Sequence, residues 1–364
     1  MNRRTQRVLL GVLTGAAAAV VAEAVRPRGP GGKPIDWDEV SRLTASRGVS
    51  DGGLTAAAAK RAAEGYNAAA AELQGPLLEA VGGLPAGVTF PAFQAIDRAG
   101  WIDLNIGIIR RVVEPLVEAN PMPSSLLLDL GRAGIDRYIA VLLDFLSRRV
   151  LGQFDPDLLG REPVTAETTG LYLVETNVAA WEREAKLPGE ELRRWLILHE
   201  STHAWQFLGH PWLREHLNGL VEEVLALANR SNADPVRRMA GFVMRVPGQL
   251  ALIRRMQATM TLIEGYSNLV MDVVGRRLLP GFDQLEAAYQ ERAGKRSALE
   301  SLFWRATGLD LKLRQYEVGE RFCVAVHESR GMDALNLAWL SADHMPRPEE
   351  FADPEGWYRR VSAL

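Results

Sequence analysis

The stretch Leu198-His199-Glu200-Ser201-Thr202-His203-Ala204-Trp205-Gln206-Phe207 decides how this chain is read. His199 and His203 stand four residues apart, so a helix carries both imidazoles on one face, where they can converge on one divalent ion. The surrounding sequence predicts that helix. It begins after Pro188-Gly189, places Glu190 and Glu191 in a first turn whose dipole favours acids, and runs through Phe207 until Gly209-His210-Pro211 stops it. Glu200, adjacent to the first histidine, can reach a water on the ion without being a ligand itself. Zinc hydrolases use this His-Glu-x-x-His spacing: zinc acidifies the water and polarises a carbonyl, while the glutamate accepts the water's proton and passes it to the leaving group. The opposing reading makes both histidines hydrogen-bonded core or surface residues, with Glu200 solvated or ion-paired.

Two histidines and a water leave a catalytic zinc one protein ligand short. The candidate is Glu264 in Leu262-Ile-Glu-Gly-Tyr-Ser-Asn-Leu-Val-Met-Asp272, a carboxylate inside an apolar helical run, 61 residues after His203. A charge in such a run needs compensation. An ion provides it; a salt bridge to Arg254 or Arg255 is the alternative. Asn268 and Asp272 follow Glu264 at intervals of four, a polar stripe in which Asp272 is placed to orient His199 or His203 through the nitrogen that does not face the ion. Tyr266 is read either as an oxyanion donor or as core. His210 and His216 lie beyond the helix stop, with His210 the better candidate for the ion's surroundings. Trp205 and Phe207 are expected to pack the helix.

The chain has 364 residues, 47% hydrophobic and 24% charged, with 42 Lys+Arg against 45 Asp+Glu. That composition is globular, and its near-neutral balance gives no general electrostatic reason to bind nucleic acid, so none is expected. A single cysteine, Cys323, excludes an internal disulfide and a thiolate zinc site, leaving nitrogen and oxygen donors for any metal. Arg3, Arg4 and Arg7 precede an uncharged run from Val8 to Ala22, followed by a Pro/Gly-rich linker. Residues 1–33 are therefore read as a targeting or anchor-like segment, competing with a dispensable leader on a cytoplasmic protein; weak membrane association through residues 1–25 is one expectation. Residues 34–364 form the folded body as a single domain, with helical subdomains at 34–160 and 161–364. Helical spacing recurs over Leu54–Ala80, Ile96–Glu118, Ile135–Val150, Leu213–Ala228, Arg238–Val274, Leu285–Ala306, Glu317–His327 and Met332–Leu340. Gly170–Asn177 is the best strand. The fold class is mainly α with a small β element.

Several separated motifs carry a more specific resemblance. They are Ile35-Asp36-Trp37-Asp38, Arg98-Ala99-Gly100-Trp101, Asn177 to Glu184, the His199 motif, Glu264-Gly265-Tyr266, Lys312 to Phe322 and Gly331-Met332-Asp333. In this order they resemble the zincin-like metallopeptidase family of actinobacteria and chloroflexi, often labelled as associated with deazaflavin-coenzyme biosynthesis. The resemblance implies a zincin-like fold, one zinc ion per chain on His199, His203 and Glu264, and Glu200 as base. Relatives commonly carry histidine where this chain has Tyr266, a departure that weakens any mechanism needing another imidazole there.

Three functions follow in order. The first is a zinc-dependent hydrolase of a peptide or related amide. The second is a catalytically silent metal-binding helical protein that binds a partner or small molecule, linked to deazaflavin-coenzyme metabolism. The third is a structural helical protein without metal.

Overall fold

The computed structural model describes residues 35–48, 53–118, 126–229, 235–294 and 310–364. The leader and linker at 1–33 lie outside the described residues, as does most of the expected loop after Asn229. Twelve α-helices and one three-stranded sheet are described. Among these residues no helix is long and apolar enough to cross a membrane.

The chain divides into two compact units. Among the described residues, one comprises 35–48, 53, 98–118, 126–149, 292–294 and 310–313. Its described helices are α1 (Trp37–Gly48), α3 (Arg98–Glu118) and α4 (Leu126–Ser147), which pack through Trp37, Val40, Trp101, Ile102, Ile106, Ile139 and Leu143, all buried. The backbone N–H of Asp36, just before α1, donates to Asp136 Oδ1 in α4 at 3.1 Å.

The other unit, residues 54–97, 150–291 and 314–364, holds the sheet and the motif helix. Helix α2 (Ala56–Val81) starts on a Thr55 cap and ends on Gly82, whose φ of 88° is the left-handed conformation that lets a helix terminate. Strands β1 (Phe93–Ile96), β2 (Gly152–Asp155) and β3 (Gly170–Val174) order as β1-β3-β2. β1 runs parallel to β3 with Phe93 opposite Leu171, and β2 runs antiparallel with Phe154 opposite Leu171. The expected strand is β3, which ends at Val174 because α5 (Glu175–Ala185) starts there.

Helix α6 (Gly189–Gly209) carries the motif and has the bounds the sequence predicts. Buried residues surround it, Leu192, Trp195, Leu196, Ile197, Leu198, Ala204, Trp205, Phe207 and Leu208 among them, so it is a central helix rather than a one-sided surface one. Its first turns are fastened by Arg193, which pairs with Glu182 at 2.7 Å and also with Glu175. Trp205 Nε1 donates to the Gly83 carbonyl at 2.6 Å and Phe207 meets Phe154 at 5.5 Å, so both aromatics pack the helix as expected.

Helix α7 (Trp212–Asn229) follows, then the long α8 (Pro235–Leu278) and α9 (Phe282–Gly294). The chain ends with α10 (Asp310–Arg330), α11 (Met332–Asn336), short 3₁₀ turns and α12 (Pro354–Val361). Helices α8 and α10 cross at two glycines. A Cβ on Gly265 would stand 2.2 Å from the Gly319 carbonyl carbon, and one on Gly319 would stand 2.0 Å from the Thr261 oxygen. Only residues without a side chain permit that approach.

Candidate metal centre

The i,i+4 spacing on α6 brings the Nε2 atoms of His199 and His203 to 3.2 Å from each other. From α8, Glu264 Oε2 comes within 3.9 Å of His199 Nε2 and 3.7 Å of His203 Nε2. The three donor atoms thus form a compact triangle, and this group could hold a metal ion. Donor atoms around a tetrahedral zinc at roughly 2.0–2.1 Å lie about 3.4 Å apart, a spacing the three edges bracket. The side chains keep 22%, 12% and 16% of their surface, enough for solvent to reach the triangle.

The imidazole chemistry fits a cation. His203 Nδ1 lies 2.9 Å from Gln206 Oε1 and 3.2 Å from Ser267 Oγ. The Gln206 amide nitrogen donates to the Ile263 carbonyl at 2.8 Å, and the Ser267 hydroxyl donates to the same oxygen at 3.0 Å. Each therefore offers an oxygen lone pair to His203, whose proton belongs on Nδ1, and the Nε2 lone pair points at the triangle. His199 Nδ1 faces Met271 Sδ at 2.9 Å, a weak acceptor. Burial, and then the neighbouring His203, hold the His199 pKa well below its usual value, so its ring is neutral.

Glu200 is buried, and its carboxylate lies against β2. A Cβ on Gly152 would stand 2.5 Å from Glu200 Oε1 and 2.9 Å from Leu173 Cδ2, so the strand leaves this position bare for the acid. Burial first, and then the charge of Glu264, raise the Glu200 pKa to about 8, against an opposing hydrogen bond from the Phe154 backbone N–H.

The remaining sequence candidates have other partners. Asp272 is 44% exposed and pairs with Arg276, not with either histidine. Asn268 donates to Glu320 Oε2 at 3.3 Å. Tyr266 is fully buried, stacks on Trp205 at 5.3 Å with ring planes 6° apart, and donates its hydroxyl to Asn336 Oδ1 at 2.7 Å. His210 packs on Trp205 and Trp339 and donates Nδ1–H to the Gln206 carbonyl at 3.1 Å. Arg255 pairs with Glu223, so it is not the partner of Glu264. Sequence reasoning missed Gln206, Ser267 and Gly152. A polar Gln206 among Ala204, Trp205, Phe207 and Leu208 was the available signal, since a buried amide needs partners.

The zincin-like metallopeptidase family matches residues 35–358, nearly the whole described chain. The chain belongs to this family. A solved structure from Chloroflexus aurantiacus, described as a "putative hydrolase with a novel fold", is similar to this zincin-like chain at 31% sequence identity and a TM-score of 0.70. The likeness covers 91% of this chain and 99% of that one. No curated protein matches the chain. Family membership accords with the mainly α fold and implies zinc, and the triangle is a possible site for it.

Proposed function

We propose that the protein is a zinc-dependent hydrolase of a peptide or related amide bond, with His199, His203 and Glu264 as zinc ligands and Glu200 as general base. The observation that carries the reading is the convergence of two Nε2 atoms and one carboxylate oxygen beside a second, buried carboxylate. When bound, zinc supplies a Lewis acid that acidifies a coordinated water, polarises the scissile carbonyl, and offsets the repulsion between Glu200 and Glu264.

The chain's own groups supply the rest. His199 presents a neutral ring, His203 presents Nε2 toward the triangle, and Glu264 contributes a carboxylate for a divalent cation. Glu200 is anchored by the Phe154 N–H and the bare backbone at Gly152; it takes the proton from the attacking water and delivers it to the leaving nitrogen. The apolar surroundings of Leu173 and Phe154 limit competing bulk water around that carboxylate.

The test is elemental mass spectrometry on tag-free protein, with His199→Ala and Glu200→Gln prepared in parallel and assayed against a peptide panel. Wild type should carry about one zinc per chain, and His199→Ala should lose it. Glu200→Gln should keep zinc while turnover falls about 10²–10⁴-fold. Equal turnover by wild type and Glu200→Gln would overturn the role of the base.

A further inference from the structure

We infer that Gln206 is a positioning residue: with Ser267 it fixes the tautomer and ring orientation of His203, an inference that rests on the metal reading above. Gln206 lies three residues after His203 and faces the same side of α6, fully buried. Its two ends are committed in opposite senses. The Nε2 end donates 2.8 Å to the Ile263 carbonyl on α8, which leaves Oε1 at 2.9 Å from His203 Nδ1. Ser267 repeats the logic from α8, donating to Ile263 O and accepting from the same ring nitrogen at 3.2 Å.

One carbonyl, one turn before Ser267 and next to Glu264, therefore orients both acceptors. The consequence is specific. A proton on Nε2 would place two Nδ1-facing oxygens against a lone pair and remove the donor atom from the triangle. With the proton on Nδ1, the lone pair of Nε2 points toward Glu264 and His199. The same network ties α6 to α8 at the level of Glu264, so the amide that orients one proposed ligand also sets the spacing to another. Among the described residues, His199 Nδ1 faces the Met271 thioether, a weak acceptor, so the orienting force is concentrated on His203.

Two measurements test this. Histidine ¹⁵N shifts of metal-free wild type should report His203 protonated on Nδ1, and protonation on Nε2 would overturn the inference whatever the variants do. Zinc competition titrations should then find Gln206→Leu about 10–100-fold weaker than wild type at unchanged helix content, with Gln206→Glu, which keeps an acceptor toward Nδ1 but loses the donor to the Ile263 carbonyl, recovering only part of the loss. A folded Gln206→Leu protein with wild-type zinc affinity and an unchanged His203 tautomer would show that Gln206 merely joins two helices. If Gln206→Leu does not fold, Ser267→Ala takes its place, with a smaller weakening expected and an unchanged affinity and tautomer counting against the inference. Wild type that takes up no zinc would sink the metal reading itself. The orienting role would then stand or fall on the tautomer: loss of the Nδ1–H signature in the variant supports it, and retention overturns it.

Discussion

Helices α6 and α8 deliver their parts of the candidate metal centre by different physics. On α6 the two imidazoles converge because four residues make just over one helical turn, a local property of any helix that carries them. On α8 nothing local brings Glu264 to the same point. Its place depends on the approach of α10 at Gly265 and Gly319, and on Gln206 and Ser267 meeting at the Ile263 carbonyl. A motif helix can thus be legible in isolation while the residue that completes its site is held by tertiary contacts.

The largest expected effect tests where the two helices meet electrostatically. In protein stripped of metal, the Glu200 pKa is raised from 4.5 to about 8. Because the folded state then holds the proton more tightly than the unfolded state, the associated stability is fully present below about pH 4.5. It is lost as pH rises through about 8, a swing on the order of 5 kcal/mol. Denaturant midpoints from pH 4 to 9 should show this decline, and Glu200→Gln should flatten it. Glu264→Gln should flatten it less, because burial on α6 is the larger cause and the charge from α8 the smaller. Equal flattening by both would mean that the carboxylate from α8 dominates.

Next in size is the crossing itself. Gly319→Ala or Gly265→Ala drives a methyl into backbone atoms, which must separate α8 from α10 at a cost of about 2–3 kcal/mol. Since Glu264 adjoins Gly265, zinc affinity in the folded variant should fall about tenfold or more. Thermal unfolding and zinc competition measure the two effects separately. A variant destabilised but with wild-type zinc affinity would show that Glu264 does not depend on the crossing, and the contrast between the helices would fail.

A smaller effect is expected at Tyr266, the position next to that glycine. Tyr266→Phe removes the hydroxyl that donates to Asn336 and should cost about 1 kcal/mol or somewhat more, with zinc affinity unchanged. A loss of zinc binding would instead return the tyrosine to the metal's surroundings.

The sequence made α6, its histidine pair and Glu200 legible because period, cap chemistry and the Gly-His-Pro stop are all local. It singled out Glu264 through the oddity of an acid in an apolar run, and the structure brings that acid to the histidines. It did not reveal β1 or β2, four-residue strands defined by their pairing with β3 rather than by any pattern of their own. Along α8 it reached too far with Asp272 and left Tyr266 open between an oxyanion donor and core. Asp272 lies eight residues past Glu264 and so about 80° around the helix, and Tyr266 about 200°, which turns the one to Arg276 and the other into the aromatic core. Intervals of four drift; over two of them the drift decides the partner. Gly152, Gly265 and Gly319 were invisible as site residues because their role is to have no side chain where another element arrives.

The smallest expected effect is the control that isolates this last point. Gly209 ends α6, and a Cβ there would meet only Leu84 Cδ2 at 3.4 Å and Pro85 Cδ at 4.0 Å, ordinary contact distances. Gly209→Ala should therefore change stability by no more than about 0.5 kcal/mol, with a slight gain if the lower entropy of the unfolded chain prevails. Zinc affinity should stay at the wild-type value. The same methyl is then nearly neutral at the end of the helix whose geometry is local and costly at the crossing that places Glu264. If calorimetry found Gly209→Ala as damaging as Gly319→Ala, the cost would reflect a general intolerance of the fold to added volume, and the glycines of α8 and α10 would lose their special claim on the metal centre.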